Sequence, residues 1–397
     1  MGMAIDHHGL GSRNPFRDGG PIPVYVHIPF CAKHCWYCDF NVYEGLGRLA
    51  GTYIEALCSD IIALAEFLER PKGAYSVYVG GGTPSIVGWK RLAALLGTIR
   101  RSFPPESGAE ITVEVNPTDA TAALMDGLAQ AGVNRVSLGV QSFDNDRLAE
   151  LDRLHEADRS AIAVDLALKA GVGSVSIDLL YGIPNQSPDD WVGEVEKAIA
   201  LQPDHISAYA LTLYGEVAEN RARASGGAQT GDGLAVYYGL AVEMLRKAGY
   251  GHYEVSNWAR SGQRSRHNGA IWRGSEYLGF GCGAHATVGH RRYSTLNQPA
   301  DYIEAIRDRG LLVGWEEQLS EADLLIELIA GAVRTSEGLD LAGVRERFAY
   351  DLASDRRADL EPLRKAGYVE VESGWLRLTD AGLLLADGIA ARLLPDK

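Results

Sequence analysis

The chain has 397 residues, which is enough for two folding units, since single hydrophobic cores stop growing at roughly 250–300 residues. Its 46% apolar and 23% charged residues are typical of a globular protein, and no apolar run approaches the roughly 20 residues of a membrane-spanning helix. The net charge of −14 argues against a large nucleic-acid-binding surface, because lysine and arginine supply most of the affinity for phosphates.

Residues 1–22 are rich in polar residues, glycine and proline, and they lack the apolar core of a signal peptide. We predict that they form a polar N-terminal leader, and we expect the protein to be cytoplasmic. The cysteine count of five is odd, and a reducing compartment makes a disulfide framework improbable. Clustered cysteines in this chain are therefore expected to act as ligands.

Between residues 23 and 212, short β-rich runs alternate with longer amphipathic segments. The predicted strands are 24–28, 75–80, 110–115, 135–140, 174–180 and 205–211. The predicted helices between them include 52–69, 122–132 and 158–171, in which apolar residues recur every three or four positions. Six strand-then-helix units predict an α/β fold, a partial (β/α)6 TIM-like barrel. The chemistry of such barrels lies at the carboxyl ends of the strands.

The pattern changes twice after the predicted barrel. Residues 213–300 are predicted to be a connector, which begins with a helix and becomes rich in glycine, asparagine, histidine and aromatic residues. Residues 301–397 are predicted to form a winged-helix-like α+β domain, because a hairpin pattern with a Ser-Gly turn follows several helices at 367–382. Winged helices often bind DNA, but a fold does not determine a function.

Three of the five cysteines, Cys31, Cys35 and Cys38, directly follow the first predicted strand in a CxxxCxxC arrangement. Structural zinc takes four ligands, so three thiolates suit the irons of a multi-iron cluster better than a single ion. Iron–sulfur clusters are normally held by four thiolates, so three would leave one iron open to an exogenous ligand. A structural zinc site completed by His34 is the alternative. Cys282 is expected to be a packing residue.

The CxxxCxxC motif resembles that of the radical S-adenosylmethionine (SAM) enzymes. This resemblance implies a 4Fe–4S cluster on the three cysteines, whose open iron binds the amino and carboxylate groups of SAM and cleaves it to a 5′-deoxyadenosyl radical. Further similar motifs are YVGGGTPS (78–85), EVNP (114–117), GVQSF (139–143), LDRLH (151–155) and SIDLLYGIP (176–184). They imply that SAM contacts come from Tyr25, Tyr37, Gly81, Gly82, Thr83, Glu114, Gln141, Arg153 and Asp178.

Taken one at a time, each of these motifs can be explained by a purely structural role. A glycine run is often a plain turn, and a buried Asp or Gln at a strand end is more often a structural group than a ligand. Together, polar residues at the ends of successive strands describe a pocket.

Over residues 23–390 the chain is similar to the subgroup that contains oxygen-independent coproporphyrinogen III dehydrogenases and HemW-type heme chaperones. The dehydrogenases typically have a further cysteine two positions after the third ligand, where this chain has Phe40, and a longer N-terminal arm. Both differences favour the HemW-type branch. That branch has an HNxxYW element linked to heme, and this chain has HNGAIW (267–272), with Ile271 in place of the tyrosine.

Two roles for His267 remain open at this point. It ligates heme iron, as histidine commonly does, or it joins Asn268 in hydrogen bonds to the cysteine loop that hold the connector against the barrel mouth. Two functions are also open. The first is a heme chaperone that binds and transfers heme. The second is a radical SAM enzyme that acts on a porphyrin-like or other organic substrate by decarboxylation, methyl transfer or cyclopropanation.

The resemblance also implies partners. These are heme or a porphyrin-like molecule, an electron donor such as a flavodoxin or ferredoxin, and heme-acceptor proteins. No nucleic acid is expected among them.

Overall fold

The computed structural model describes residues 6–17, 19–69, 73–227 and 230–395, so residues 1–5 and 18 of the predicted leader lie outside it. The strands are β1 Ile22–Ile28, β2 Phe30–Cys31, β3 Tyr43–Glu44, β4 Ala74–Gly81, β5 Pro105–Val115, β6 Arg135–Gln141, β7 Ser174–Tyr181, β8 His205–Ala210, β9 Gly251–Glu254, β10 Asn257–Ala259, β11 Leu278–Phe280, β12 His285–Val288, β13 Arg291–Thr295, β14 Val313–Gln318, β15 Leu339–Asp340, β16 Val369–Glu372 and β17 Trp375–Leu378.

The helices cover the outer face of the barrel and build most of the C-terminal region. They are α1 Ala50–Phe67, α2 Trp89–Ser102, α3 Ala122–Gln130, α4 Asn145–Glu150, α5 Ala157–Lys169, α6 Pro188–Ala200, α7 Gly215–Ala224, α8 Asp232–Lys247, α9 Arg266–Trp272, α10 Pro299–Arg307, α11 Glu321–Ala332, α12 Leu341–Phe348, α13 Leu352–Asp355, α14 Arg357–Lys365, α15 Asp380–Leu383 and α16 Ala386–Leu393. No helix in the described ranges is both long enough and apolar enough to cross a membrane.

The main sheet has the strand order β11-β1-β4-β5-β6-β7-β8-β10-β9 within the described residues. Strands β1 and β4 to β8 pair in parallel, each with the next along the chain, and α-helices lie between them in sequence. This arrangement confirms the predicted partial (β/α)6 barrel.

Short strands from the region predicted to be a connector extend both edges of this sheet. Strand β11 pairs in parallel with β1, and β10 and β9 add antiparallel to β8. The sequence analysis did not predict these strands, because three or four residues are too few to show a periodicity of two.

The side chains of β6 alternate between the apolar face of the main sheet, under the helices, and its polar face. Val136, Leu138 and Val140 are fully buried in the apolar core under the helices. The intervening residues, from Arg135 to Gln141, line a cavity on the opposite face. Successive side chains of a strand point to opposite faces. The face away from the helices is therefore polar, whereas the interior of a complete TIM barrel is filled mainly by branched apolar side chains.

The C-terminal region carries the hairpin that the sequence predicted. Strands β16 and β17 pair antiparallel, and Ser373 and Gly374 at the turn both have positive φ, +51° and +84°. Two central residues with positive φ are the requirement of a type I′ turn. Strand β15 adds to β17, and a separate apolar core joins this sheet to helices α11 to α16. The winged-helix-like prediction is thereby confirmed.

The described part of the predicted leader is packed into the molecule. The His8 side chain is fully buried, with Nε2 2.8 Å from Asp60 Oδ1 on α1. Tyr302 of α10 donates to the other oxygen of the same carboxylate, at 2.5 Å. Buried polar groups need such partners. This segment therefore anchors α1 to α10.

Candidate functional site

A cavity of about 450 Å³ lies at the carboxyl ends of the parallel strands. Most of the residues predicted to bind the cluster or SAM line it: Cys31, Cys35, Tyr37, Cys38, Gly81, Gly82, Thr83, Glu114, Gln141, Arg153 and Asp178. Tyr25 and His267 do not. Cys58 and Cys282 also lie outside the lining, and Cys282 is fully buried beside the Tyr53 hydroxyl, as expected of a packing residue.

The three clustered cysteines lie at the cavity on and after β2. Cys31 Sγ is 3.5 Å from Thr83 Oγ1, and Cys35 Sγ is 3.9 Å from the Asp152 carbonyl oxygen. Burial raises the pKa of the Cys31 thiol, and it raises the pKa of the Cys38 thiol to about 11. Without a metal these two thiols are therefore neutral at pH 7. Iron would stabilise them as thiolates.

The ligand arrangement does not match a mononuclear metal site. Among the residues the structure describes, no three His, Cys, Asp or Glu side chains converge closely enough to hold one ion. His34, the candidate fourth zinc ligand, has Nε2 3.2 Å from the Cys38 carbonyl oxygen. Three separated sulfurs fit a multi-iron cluster, in which different irons take different thiolates.

Two contacts, with α4 and with α7, hold the cysteine loop. The indole Nε1 of Trp36 donates to the Glu150 carbonyl oxygen at 2.7 Å. Arg221 of α7 forms a bidentate pair with Asp152, at 2.6 and 2.8 Å, and its guanidinium carbon lies 5.6 Å from the centroid of the Trp36 ring. A cluster-binding loop fixed in this way loses less entropy when it binds iron.

The glycine segment after β4 is packed directly against the cysteine loop. A Cβ on Gly82 would lie 2.8 Å from Cys31 Sγ, and a Cβ on Gly81 would lie 2.8 Å from the His27 ring. Gly81 also has a φ of +118°, which side-chain-bearing residues rarely adopt. Glycine is therefore required here to let two backbone segments approach each other beside the cluster ligands.

Two carboxylates face the cavity from β5 and β7. Glu114 accepts hydrogen bonds from the Tyr78 hydroxyl (2.7 Å) and from the Gly81 N–H (3.2 Å). Burial raises the pKa of Glu114 to about 7, and it also raises the pKa of Asp178, to which Ser137 donates at 3.2 Å. Both side chains are acceptors when ionised, so they suit an amine or hydroxyl donor on a ligand.

Gln141 and Arg153 complete the rim on the β6 side. Gln141 has a φ of +67° after a bulge in β6, a backbone conformation that side-chain-bearing residues rarely adopt. Arg153 Nη2 donates to the Gly139 carbonyl oxygen at 2.8 Å, but its buried Nε has no hydrogen-bond partner in the described chain. The Nε–H group of Arg153 is therefore available to an acceptor atom of a ligand. This free donor, the three thiols and the close packing of Gly82 against Cys31 are features that fit a bound cluster and SAM.

Tyr25 lies behind the cavity wall. Its hydroxyl is 3.0 Å from His27 Nδ1, and His27 Nε2 is 2.8 Å from the Asn41 carbonyl oxygen. Because a carbonyl only accepts, we assign the ring proton to Nε2, so that Tyr25 donates to Nδ1. The Tyr25 hydroxyl proton is therefore already used.

His267 lies inside the barrel and away from solvent, with 5% of its surface exposed. Its Nδ1 is 2.9 Å from Ser76 Oγ, and its ring centroid is 5.2 Å from that of Tyr78. Burial lowers the pKa of His267 to about 3, so its ring is neutral. The bond goes to β4 and not to the cysteine loop. The next residue, Asn268, does line the cavity.

The sequence analysis missed the floor of the cavity. Arg135, Ser137, His205 and Ser207 line it and were not predicted, and Asn268 of the HNGAIW element lines it as well. The missed signal was the spacing of two between Arg135, Ser137, Gly139 and Gln141, which places all four on one face of β6.

Comparison with known proteins shows which family the chain resembles. Residues 25–198 match the radical SAM superfamily, and residues 319–385 match the HemN C-terminal domain. The heme chaperone HemW of Mycobacterium tuberculosis is 38% identical over 382 residues, which cover 95% of each chain. The mitochondrial radical S-adenosyl methionine domain-containing protein 1 of Danio rerio is 33% identical over 395 residues, 94% of this chain and 86% of that protein.

A solved structure shares the fold. Coproporphyrinogen III oxidase (HemN) from Escherichia coli superposes with a TM-score of 0.83, at 23% sequence identity, over 96% of this chain and 91% of that one. Membership of the radical SAM superfamily implies a 4Fe–4S cluster and SAM as cofactors. With 38% identity over nearly its whole length, the chain belongs to the HemW family of radical SAM proteins.

Proposed function

We propose that this protein binds heme and transfers it to acceptor proteins, and that it holds a 4Fe–4S cluster and SAM in the cavity described above. The observation that carries this proposal is the 38% identity over 95% of both chains to a protein named heme chaperone HemW. Phe40 supports it, because the coproporphyrinogen III dehydrogenases typically have a cysteine at that position.

Within this proposal Cys31, Cys35 and Cys38 hold the cluster. Gly81, Gly82, Thr83, Glu114, Gln141, Arg153 and Asp178 contact SAM, as does Tyr37 through its backbone, and Tyr25 supports the site from behind. When bound, the cluster would supply the electron for reductive cleavage of SAM. The side chains bind and orient: Glu114 and Asp178 accept hydrogen bonds, and the free Nε–H of Arg153 donates one. A flavodoxin or ferredoxin is the proposed electron donor.

His267 is the proposed heme ligand, and its position sets a condition on that role. The ring is 5% exposed and bonded to Ser76, so a macrocycle cannot reach it while α9 occupies the barrel. Heme ligation by His267 therefore requires α9 to leave its place. Glu110 opposes this movement, because it accepts hydrogen bonds from the backbone N–H groups of Arg266 and His267 at 2.9 and 3.1 Å.

The proposal is tested by heme titration of the anaerobically reconstituted protein, followed by absorbance. We expect a stoichiometric Soret band in the wild type and a weakened band in His267→Ala. His290→Ala is the matched control, since His290 lies on the surface away from the cavity, and it should bind heme like the wild type. Absence of heme binding to the wild type would contradict the proposal.

A second candidate is a radical SAM enzyme that acts on a porphyrin-like or other organic substrate. Ile271, which replaces the tyrosine of the HNxxYW element, is the observation that favours it. In that case the protein would produce 5′-deoxyadenosine from SAM under dithionite while binding no heme.

A further inference from the structure

An arginine lies almost completely buried at the floor of the cavity. Arg135, the first residue of β6, is 4% exposed and contributes to the cavity lining. In the described ranges no hydrogen bond joins its guanidinium to another residue, and Nε is shielded from solvent without a partner. An N–H group that is buried without a hydrogen bond is costly, because it has lost its water. Such a group stays in a fold when something else satisfies it.

The nearest carboxylate forms an ion pair with this arginine but no hydrogen bond. Glu110 Oε2 is 4.0 Å from Arg135 Nε, which is beyond hydrogen-bonding distance. Both Glu110 oxygens are already used at the start of α9, where they accept from Ser265 Oγ and from the N–H groups of Arg266 and His267. Glu110 is therefore occupied as the cap of α9.

The other polar groups around the floor are also occupied. Glu114 is bonded to Tyr78 and Gly81, and Asp178 to Ser137. His205 has Nδ1 2.8 Å from Ser176 Oγ and Nε2 2.8 Å from the Tyr253 hydroxyl. Burial lowers the pKa of His205, so that ring is neutral beside the charged Arg135.

Asn268 offers a second free group to the same cavity. Its backbone N–H is fixed by Ser265 Oγ at 3.3 Å, and its side-chain amide makes no hydrogen bond to any residue described by the structure. It follows directly after the two N–H groups that Glu110 caps. Arg135 and Asn268 thus line the same cavity, and both have N–H groups that no described residue accepts from.

We propose that Arg135 and Asn268 form an anion subsite at the floor of the cavity, and that this subsite binds a carboxylate of an organic ligand. A guanidinium fork and an amide N–H together match the two oxygens of a carboxylate. The carboxylate belongs to a small organic acid or to an acidic side arm of a larger ligand, such as the propionate of a tetrapyrrole that binds while α9 stays in place and His267 is not an iron ligand. Arg135 begins β6, whereas Gln141, a proposed SAM contact in the same cavity, ends it. The existence of the subsite does not depend on heme transfer.

The test measures thermal unfolding of the cluster-loaded protein with malonate, against sodium chloride at matched ionic strength. A ligand that binds only the folded state raises the unfolding temperature. Malonate should stabilise the wild type, and Arg135→Gln should bind it about tenfold more weakly or worse, as expected for loss of a charge-assisted hydrogen bond. Asn268→Ala should weaken malonate binding as well. This variant removes no described hydrogen bond and is expected to fold even if Arg135→Gln does not.

Arg159→Gln is the matched control. Arg159 donates to the carbonyl oxygens of Pro117 and Ala120 and lies outside the cavity lining, so this variant should keep the response to malonate. Equal stabilisation of the wild type, Arg135→Gln and Asn268→Ala by malonate would overturn the proposal.

A second experiment identifies which ligand supplies the carboxylate. Heme is compared with its dimethyl ester, whose propionates are blocked. A preference of the wild type for heme that is lost in Arg135→Gln and Asn268→Ala assigns the subsite to a tetrapyrrole propionate. Stabilisation by malonate without that preference assigns it to a separate acid. Loss of SAM affinity in Arg135→Gln, with no response to malonate in the wild type, would assign Arg135 to SAM and overturn the proposal.

Discussion

His267 Nδ1 lies 2.9 Å from the hydroxyl oxygen of Ser76, and this bond joins α9 to β4 inside the barrel. The same short helix carries Asn268 into the lining of the cavity. The residue proposed to hold heme and a residue that faces the proposed SAM site are therefore neighbours on one rigid element. A movement of α9 that exposes His267 to heme must therefore withdraw Asn268 from the cavity.

This relationship predicts that SAM and heme oppose each other's binding. Heme ligation by His267 removes α9 from the cavity, whereas bound SAM favours the conformation in which α9 completes it. Coupling between two sites is reciprocal and is typically about 5- to 150-fold. Heme titrations with and without SAM should therefore show weaker heme binding when SAM is present. Identical heme affinities in the two titrations would show that α9 does not link the sites.

The packing of Gly82 predicts a specific defect in cluster loading. In Gly82→Ala the new methyl group meets Cys31 Sγ at 2.8 Å and the Phe30 carbonyl oxygen at 2.8 Å, so the cysteine loop must shift. Strain of this kind typically costs about 1–3 kcal/mol. Iron and sulfide content after reconstitution should fall well below that of the wild type.

Gly193→Ala is the control for that experiment. Gly193 lies in α6, and a Cβ there would have no atom within 4 Å. Alanine in a helix interior is favoured over glycine by about 0.5–1 kcal/mol, so this variant should load iron normally and gain stability. Normal loading of Gly82→Ala would mean that the loop tolerates the shift.

The environment of Glu114 predicts how stability depends on pH. Burial raises its pKa from 4.5 to about 7 in the folded protein, so the folded state keeps a proton that the unfolded chain has lost. The stability that this proton contributes is present below pH 4.5 and is lost as the pH rises to about 7. Glu114→Gln should flatten that part of the curve for the cluster-free protein in urea titrations. An unchanged slope in the variant would place the pH dependence elsewhere.

Asp60 is buried and bonded to His8 and Tyr302. We therefore predict that removing the single hydroxyl oxygen of Tyr302 lowers the free energy of unfolding measurably. Tyr302→Phe removes the hydroxyl that donates to Asp60 Oδ2 and leaves that carboxylate oxygen buried without its donor. The loss should be about 1–3 kcal/mol of the free energy of unfolding. Tyr214→Phe, at a side chain that is 57% exposed, should change it by less than about 0.5 kcal/mol. Equal effects of the two substitutions in denaturant unfolding would contradict the structural role of His8, Asp60 and Tyr302.

The parts of the site that could be predicted from the sequence are those with a local signal. The carboxyl ends of β4 to β7 were visible because strand periodicity and polar residues meet there, as at Gln141 and Asp178. The burial of His267 had no local signal, since its partner Ser76 is 191 residues away. Arg135 could not be predicted in this way, because it begins β6, whereas the polar motifs lie at the carboxyl ends of the strands. The strands β9 to β11 were missed because each has only three or four residues.

The most direct test of the central claim is iron binding by the three cavity cysteines. Wild type, Cys35→Ala and Cys58→Ala are reconstituted anaerobically with iron and sulfide, and iron content is measured together with the electron paramagnetic resonance of the reduced cluster before and after SAM. Cys58 lies on α1 outside the cavity lining. We expect a SAM-dependent cluster signal in the wild type and in Cys58→Ala, and loss of the 4Fe–4S cluster in Cys35→Ala. A full, SAM-responsive cluster in Cys35→Ala would contradict the account.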